Sequence, residues 1–399
     1  MPARISPLAI TAYTVTCAVG RGTPALARAL QMRRSGLVRN NMGAQPLDSW
    51  IGRVDGLEQI QLPAHLSAWD ARNNRLAWLG LNQDGFLDRA QALIERYGKT
   101  RVAVILGTST SSIEETERAY RERGADGRFS PAQRASHAHQ THSLGAFVHG
   151  VLDAQGPCLT IATACSSSAK VFASAQRLLQ AGLVDAAIVG GVDTLCGSVL
   201  FGFNSLGLVS TQPCQPFDVA RSGLSLGEAA GFAILERADV GAGAPQLIGY
   251  GESADAHHMS SPHPQGLGAK LAIDDALARA GKTATDVDYI NLHGTASQHN
   301  DAVEAALIAR YFPAMTLASS SKGWTGHTLG AAGIVESVVA LLALEQNFVP
   351  GTLNTTEIDP ICGPQIITDN RERRVRVVLS NSFGFGGNNC CLAFAGVDA

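Results

Sequence analysis

The sequence has few aromatic residues, little net charge and no uninterrupted apolar run of the roughly 18 residues that a membrane-spanning helix needs. Only 13 Phe, 6 Tyr and 4 Trp stand beside 42 Gly in the 399 residues, which favours tight turns and close backbone contacts over large aromatic layers. The formal net charge of −3 gives no reason to expect a nucleic acid or a membrane surface as a partner.

Cysteine is also too sparse for a disulfide framework, because eight cysteines are spread over the whole chain. Four of them lie in apolar or glycine-rich segments, which is typical of buried reduced thiols: Cys158, Cys196, Cys390 and Cys391. The first twenty residues lack the apolar core of a signal peptide. With 45% hydrophobic and 16% charged residues, the chain can bury a large core, and we expect a cytoplasmic protein of enzyme size.

Short apolar runs alternate with longer segments of helical character, which predicts an α/β fold with largely parallel, buried strands. Gly182 and Gly281 stand where C-terminal helix caps are expected. The predicted strands are 100–107, 158–164, 185–191, 287–294 and 376–382. The predicted helices are 166–182, 268–281, 301–312 and 330–346.

The chain contains a weak internal repeat. VILGTSTS (104–111) and INLHGTAS (290–297) both run from an apolar strand through Gly-Thr into small hydroxyl residues. Each is followed later by a helix rich in small residues. The repeat predicts two related halves, residues 1–240 and 241–399, that fold against one another, with 241–246 as their connection.

Cys165 lies between a predicted strand and a predicted helix, in the stretch TIATACSSSAK. Its sulfur should therefore lie near the positive end of a helix dipole, which lowers the pKa of a thiol and favours a nucleophile. The small residues that follow it leave room for a substrate. An inert buried cysteine is the alternative.

Three further segments carry chemistry. His293 ends a strand at the edge where ligands of layered α/β proteins bind, although a histidine that caps a turn is equally compatible. Lys322 and His327 share a glycine-punctuated loop that lacks the Gly-Lys-Ser/Thr of a phosphate-binding loop. Around Phe383 and Phe385, glycines allow backbone N–H groups to face an anion; the alternative is a turn with two core phenylalanines.

Together and in this order, these motifs resemble the elongating β-ketoacyl-ACP synthases of the thiolase superfamily. The resemblance runs from the first strand to the C-terminus and is carried by TACSSS, PFDVARSG…GEAAG, NLHGT, KGWTGHTLGAAG and NSFGFGGNN. It implies a five-layer α-β-α-β-α sandwich of two pseudo-repeated halves, usually a homodimer.

The resemblance also implies a decarboxylative Claisen condensation in fatty-acid or polyketide chain elongation. Cys165 would hold the acyl chain, and His293 and His327 would act on malonyl-ACP, so that 3-oxoacyl-ACP and CO2 are formed. The backbone N–H groups of Cys165 and Phe385 would form the oxyanion hole, with Phe385 as a gate. Lys322 and Glu336 would supply supporting charges.

Other residues match binding positions of the family. Those implied for the substrate are Thr110, in the acyl pocket, Thr295 and Ser297, at the pantetheine arm, and the aromatic Phe203 and Phe383. Arg72 and Arg75 lie where the family docks acyl carrier protein, although a solvated helix is an equal alternative. No metal and no cofactor are expected beyond the phosphopantetheine of the carrier protein, and the partner subunit is an identical or a ketosynthase-like chain.

Departures from the family pattern leave the pathway open. Lys170 replaces a histidine that many fatty-acid synthases carry, and GTSTSS (107–112), GEAAG (227–231) and RSGL (221–224) replace more usual motifs. They leave room for polyketide or pigment synthesis, for example of an aryl polyene.

Three other interpretations remain to be weighed against the structure. The chain could be the active half of a heterodimer with a chain-length-factor-like subunit, or itself a non-catalytic subunit that shapes the tunnel, although Cys165 argues against the latter. A thiolase would carry a second catalytic cysteine near the C-terminus, where Cys390 and Cys391 follow the glycine loop. The third is a metal site formed by His137, His139, His142 and His149, whose spacing does not place all four on one face.

Overall fold

A computed structural model describes residues 3–397. One large sheet contains eleven strands, and we number in chain order the ten that form its continuous path: β1 Leu8–Cys17, β2 Val102–Gly107, β3 Cys158–Ile161, β4 Ala186–Asp193, β5 Ala229–Arg237, β6 Gln246–Ala254, β7 Tyr289–Asn291, β8 Leu317–Ser319, β9 Val377–Gly384 and β10 Asn388–Ala395. Short strands of two or three residues complete the set at Gly20–Arg21, Val38–Arg39, Trp50–Gly52, Leu226–Gly227, Phe348–Val349 and Arg371–Glu372.

Twelve α-helices lie in the described part of the chain. They are α1 Thr23–Gln31, α2 Arg72–Leu81, α3 Phe86–Tyr97, α4 Ile113–Arg121, α5 Pro131–Ala135, α6 Ser143–Val151, α7 Ser167–Gln180, α8 Gly197–Ser205, α9 Leu267–Ala280, α10 Gln298–Tyr311, α11 Lys322–Thr325 and α12 Ala332–Gln346. Short 3-10 helices occur at Leu57–Gln59, Ala64–Trp69, His137–His139, Ala284–Asp286, Leu329–Ala331 and Phe385–Gly387.

The strand order repeats within the sheet. It runs β1-β5-β4-β2-β3 in one direction from the centre and β6-β10-β9-β7-β8 in the other. The two sets meet where Leu8 pairs antiparallel with Leu247. The echoed segments 104–111 and 290–297 extend from β2 and β7, which are equivalent strands of the two sets. Strands β1 to β5 lie within residues 1–240 and β6 to β10 within 241–399; the exact boundary between the halves stays a prediction.

Three apolar clusters separate five layers. One contains α7 and α12 together with the sheet surfaces that face them, for example Phe172, Ile334 and Val338. The second joins the other surface of the first strand set to α2, α3 and α6. The third joins the second strand set to α9 and α10. The order is therefore helices, sheet, two central helices, sheet and helices, which confirms the predicted five-layer sandwich.

The two central helices are in backbone contact. A Cβ at Gly333 of α12 would lie 2.5 Å from the backbone N of Ala169 in α7, so only glycine fits there. The Ser168 hydroxyl accepts a hydrogen bond of 2.9 Å from the backbone N–H of Ile334. The segment Leu329–Gln346 is long and apolar enough to cross a membrane, but 89% of it is buried inside the protein. Its apolar character is thus explained by its place in the central layer.

Candidate active site

Cys165 lies at a sharp junction between β3 and α7. Ala164 adopts the left-handed conformation, with φ of 51°, and α7 begins two residues after the cysteine. The Ser167 hydroxyl accepts a 2.9 Å hydrogen bond from the backbone N–H of Thr163, which stabilises the turn. The predicted strand-to-helix position of Cys165 is confirmed, and its side chain is 5% exposed.

Two histidines from the other half of the chain converge on this thiol. The Nε2 atom of His327 lies 3.0 Å from Cys165 Sγ. The His293 ring is nearly perpendicular to the His327 ring, with centroids 5.4 Å apart. The sulfur and one nitrogen of each ring all lie within 4.8 Å of one another. The three residues that the sequence placed on separate segments therefore form one cluster.

Burial determines the charge states of this cluster. It raises the pKa of the Cys165 thiol to about 11, although Lys322 and the backbone N–H of Phe385 act in the opposite direction. The expectation of a lowered thiol pKa from the helix position is therefore wrong, since desolvation of the thiolate dominates. Burial and then Lys322 hold the pKa of both imidazoles well below the usual value. These shifts favour a protonated thiol and neutral imidazoles at neutral pH.

A buried ion pair lies behind the histidines. The Lys322 ammonium contacts the Glu336 carboxylate and donates to the backbone carbonyl of His293. Burial raises the pKa of Glu336, while Lys322 acts against that shift. The Ser382 hydroxyl approaches the second carboxylate oxygen at 3.5 Å. Lys322 thus joins the segment of His293 to helix α12.

The glycine-rich turn after β9 covers the thiol. Gly386 and Gly387 adopt positive φ of 74° and 71°, and the backbone N–H of Phe385 points to Cys165 Sγ. The Phe385 ring stacks on Phe203 at a centroid distance of 5.4 Å. An N–H group that faces the nucleophile in this way can stabilise an oxyanion that forms next to it.

A cavity of about 250 Å³ opens over Cys165, His293 and His327. Its wall includes four of the five residues predicted to bind substrate, Phe203, Thr295, Ser297 and Phe383, together with the predicted gate Phe385. The hydroxyls of Thr295 and Ser297 are 2.9 Å apart. Leu206, Leu208 and Leu224 form an apolar side, and His258, Met259, Ser260 and His299 lie among the remaining wall residues. The cavity can therefore admit a chain that is apolar in part and polar in part.

Thr110 is not in the cavity wall. Its backbone N–H and hydroxyl lie 3.2 and 3.3 Å from Asp193 Oδ1. Its predicted role in the acyl pocket stays a prediction.

The docking prediction for Arg72 needs correction. Its side chain is 9% exposed, and its guanidinium pairs with the fully buried Glu228 and with Glu58. A buried, paired arginine has no charge left for a carrier protein; Arg72 instead compensates the charge of Glu228. Arg75 is more exposed and binds Asp70 with two hydrogen bonds of 2.6 Å, so its docking role stays a prediction.

The four clustered histidines do not converge. His139 binds Thr116, His142 binds Thr160, His149 binds the Gly156 carbonyl, and His137 packs against Trp69 with the two rings tilted. Cys390 and Cys391 are fully buried in β10 and do not line the cavity over Cys165. The structure thus offers neither the four-histidine metal site nor a second cysteine at the position that a thiolase needs.

Sequence reasoning missed two buried carboxylates that hold the active-site loops. Glu304 accepts hydrogen bonds from the backbone N–H groups of His293 and Gly294 at 2.9 and 2.8 Å. Asp193 accepts hydrogen bonds from backbone N–H groups of the turn after β2 and from that of Gly330, which lies three residues beyond His327. An acidic residue at the end of the apolar strand AAIVGGVD was the available signal for Asp193.

The fold and the thiol with its two imidazoles define a thiolase-like protein with a site built from both halves. Residues 75–240 match the family described as "Beta-ketoacyl synthase, N-terminal domain", and residues 246–356 match "Beta-ketoacyl synthase, C-terminal domain". The chain belongs to the beta-ketoacyl synthase family, which confirms the resemblance seen in its motifs.

Individual relatives agree with this assignment. The chain is 34% identical to Nodulation protein E of Rhizobium meliloti (strain 1021), over 85% of this chain and 82% of that protein. It is 38% identical to the mitochondrial 3-oxoacyl-[acyl-carrier-protein] synthase of Arabidopsis thaliana over 61% of this chain, and this match spans 57% of the Arabidopsis protein. A structure of the ketosynthase ApeO in complex with its chain length factor ApeC from Xenorhabdus doucetiae superposes with a TM-score of 0.89, at 35% identity over 98% of each chain.

Proposed function

We propose that this protein is a β-ketoacyl-[acyl-carrier-protein] synthase. It would condense an acyl chain held on Cys165 with malonyl-ACP and release 3-oxoacyl-ACP and CO2. The observation that carries the proposal is the 3.0 Å contact between Cys165 Sγ and His327 Nε2 beneath a cavity that also exposes His293. Both catalytic steps can be derived from these three side chains.

In the first step Cys165 takes the acyl chain from a thioester. The thiol is protonated at neutral pH, so it has to lose its proton as it attacks, and His327 Nε2 is placed to accept that proton. The new S–C bond replaces the bond to the pantetheine sulfur, which leaves as a thiol after taking up a proton. The backbone N–H groups of Phe385 and Cys165 would stabilise the oxyanion of the tetrahedral intermediate.

In the second step malonyl-ACP enters the same cavity. Loss of CO2 leaves an electron pair on the α-carbon, and the negative charge is shared with the thioester oxygen. We assign His293 and His327, both as neutral imidazoles, as hydrogen-bond donors to that oxygen. His327 then carries its proton on Nε2, so after Nε2 has accepted the thiol proton its Nδ1 proton returns to solvent, while the pantetheine sulfur takes its proton from solvent. The carbanion then attacks the acyl carbonyl, and Cys165 leaves as a thiolate that is reprotonated.

Lys322 and Glu336 act through position and charge in this proposal. Lys322 binds the backbone carbonyl of His293 and the carboxylate of Glu336, so it orients His293 and favours the neutral form of both imidazoles. Thr295 and Ser297 would bind the pantetheine arm, while Phe203, Phe383 and the gate Phe385 would contact the acyl side, with Thr110 further along. No cofactor takes part besides the phosphopantetheine of the carrier protein, and the reaction would take place in the cytoplasm.

A heterodimer is the second candidate for the assembly. The 35% identity to the ketosynthase ApeO, solved in complex with its chain length factor ApeC, extends over 98% of each chain and favours a partner of the chain-length-factor type. The departures of the sequence from the family motifs are what leave room for pigment or polyketide synthesis. Since Cys165 is present, we assign this chain to the catalytic half. A homodimer is the other arrangement.

The test is intact mass spectrometry after the purified protein is mixed with a panel of saturated and polyunsaturated acyl-ACPs. We expect one acyl adduct, absent in Cys165→Ala and retained in Cys158→Ala, a matched variant of a half-buried thiol outside the cavity. Added malonyl-ACP should release the adduct as 3-oxoacyl-ACP.

The outcomes separate the candidates. Retention of condensation by Cys165→Ala would remove the nucleophile assignment. An adduct without condensation until a ketosynthase-like partner is added would identify the heterodimer. A preferred chain would identify the pathway.

A further inference from the structure

We propose that Cys165, His293 and His327 also form a binding site for zinc, through which the metal reversibly blocks the nucleophile. Within residues 3–397 they are the one group of three potential metal-ligating side chains whose donor atoms all lie within 4.8 Å of one another. The proposal concerns regulation of the same thiol, but it does not need the condensation reaction to be correct, because binding can be measured without substrate.

The donor set is one that zinc prefers. Thiolate sulfur and imidazole nitrogen are its usual protein ligands, and zinc sites with three protein ligands keep a fourth position for water. The cavity over the cluster supplies that position and a path for the ion, since all three residues face it. Mg²⁺ and Ca²⁺ prefer oxygen ligands and should not compete.

The spacing requires only small movements. Zinc bonds of about 2.3 Å to sulfur and about 2.0 Å to nitrogen place tetrahedral ligands roughly 3.5 Å apart. The Cys165 Sγ to His327 Nε2 distance of 3.0 Å has to open slightly, and the widest pair, within 4.8 Å, has to close. The Nδ1 atoms of both histidines have no hydrogen-bond partner among the described residues, so no bond at that atom resists a ring rotation.

The charge balance permits a divalent ion. Lys322 lies close behind both histidines, but its ammonium is paired with Glu336, which reduces its repulsion of a second cation. On binding, the S–H bond of Cys165 breaks, its proton leaves to solvent, and the sulfur electron pair forms the bond to zinc. A sulfur that is bound to zinc cannot attack a thioester, so the metal would compete with acylation.

The first test is isothermal titration of the reduced protein with zinc chloride, with magnesium chloride in parallel. Cys158→Ser is the matched control, because Cys158 and His142 form another thiol–imidazole pair, at 3.9 Å. We expect one zinc site in the wild type and in Cys158→Ser, no magnesium binding, and affinity at least roughly tenfold weaker in Cys165→Ser and His293→Ala. Equal zinc affinity in Cys165→Ser would overturn the proposal.

A second measurement needs no variant and so is independent of any folding defect. Iodoacetamide alkylation of Cys165 in the wild type is followed by peptide mass spectrometry, with zinc and then with zinc plus EDTA. We expect zinc to slow alkylation of Cys165 and EDTA to restore it. Alkylation at an unchanged rate with zinc would overturn the proposal, whatever the acyl-ACP experiments show about condensation.

Discussion

Asp193 offers the sharpest test of how the active site is positioned. Its Oδ2 accepts hydrogen bonds from the backbone N–H groups of Ser109 at 2.7 Å and of Gly330 at 2.6 Å. Its Oδ1 accepts a hydrogen bond from the backbone N–H of Thr110 at 3.2 Å. One carboxylate from the first half of the chain thereby holds the segment that carries His327 in the second half.

Asp193→Asn replaces one of these oxygens by an NH2 group of nearly the same size. Whichever way the amide is oriented, at least one backbone N–H then faces a donor, and a buried unsatisfied donor costs about 1–3 kcal/mol. Removal of a buried charge offsets part of that cost. We expect the free energy of unfolding to fall by about 2 kcal/mol, and acylation of Cys165 to slow roughly tenfold to a hundredfold as His327 shifts.

Single-turnover acylation, followed by intact mass, and denaturant unfolding measure these two effects separately. Asp185→Asn is the matched control, since Asp185 precedes the same strand and pairs with Arg101 at the surface, where a salt bridge contributes at most about 1 kcal/mol. Asp193→Glu, which keeps the charge, should recover more of the rate than Asp193→Asn. If Asp193→Asn were destabilised but acylated at the wild-type rate, the positioning argument would be refuted.

Three further predictions concern buried groups. Lys322→Ala leaves Glu336 unpaired and should lower the free energy of unfolding by about 3–5 kcal/mol, whereas the double variant Lys322→Met/Glu336→Leu should regain stability in denaturant unfolding but not condensation. Burial raises the pKa of Glu304 to about 7, so acidification from about pH 8 to about pH 6.5 protonates Glu304 and weakens its hydrogen bonds to the backbone N–H groups of His293 and Gly294. The rate of condensation should therefore fall over this pH range. The pH–rate profile of Glu304→Gln should be flatter. Gly52→Ala would place a Cβ 1.9 Å from the carbonyl oxygen of Thr325, so it should lower the melting temperature, and an unchanged value would contradict the close contact.

Five strands of the large sheet could be predicted because they are short apolar runs, and four helices because they are longer segments of helical character, but the edge strand β8 and the helices α2 and α3 were among the elements missed. The helix predicted at 166–182 is observed as α7, Ser167–Gln180, and the strand predicted at 100–107 as β2, Val102–Gly107. The central strands β1, β5, β6 and β10 were missed. Their sequences, such as QLIGYGESA, mix glycine and polar residues, and their extended conformation depends on antiparallel neighbours that are distant in the chain.

The nucleophile and both histidines could be placed from motifs, because Cys165 and His293 each follow a short apolar strand and His327 lies in a glycine-punctuated loop before an apolar helix. The charge state of Cys165 could not be predicted, because the local sequence shows its position before a helix but not the desolvation that raises the pKa of its thiol. The burial of Arg72 was equally hidden, because its partner Glu228 is 156 residues away in the chain. Long-range pairings of this kind leave no local sequence signal.

The contact between α7 and α12 has a consequence for how the site can change. Cys165 precedes α7 and His327 precedes α12, and the two helices touch at Gly333 with no side chain between them. The spacing of the two helix axes therefore sets the distance over which the proton moves from Cys165 Sγ to His327 Nε2. We expect substitutions that push α7 and α12 apart to lengthen this distance, and substitutions in α8 or at the cavity mouth to leave it unchanged. Substitutions at the cavity mouth can thus change the substrate range while the contact between α7 and α12 at Gly333 stays the same.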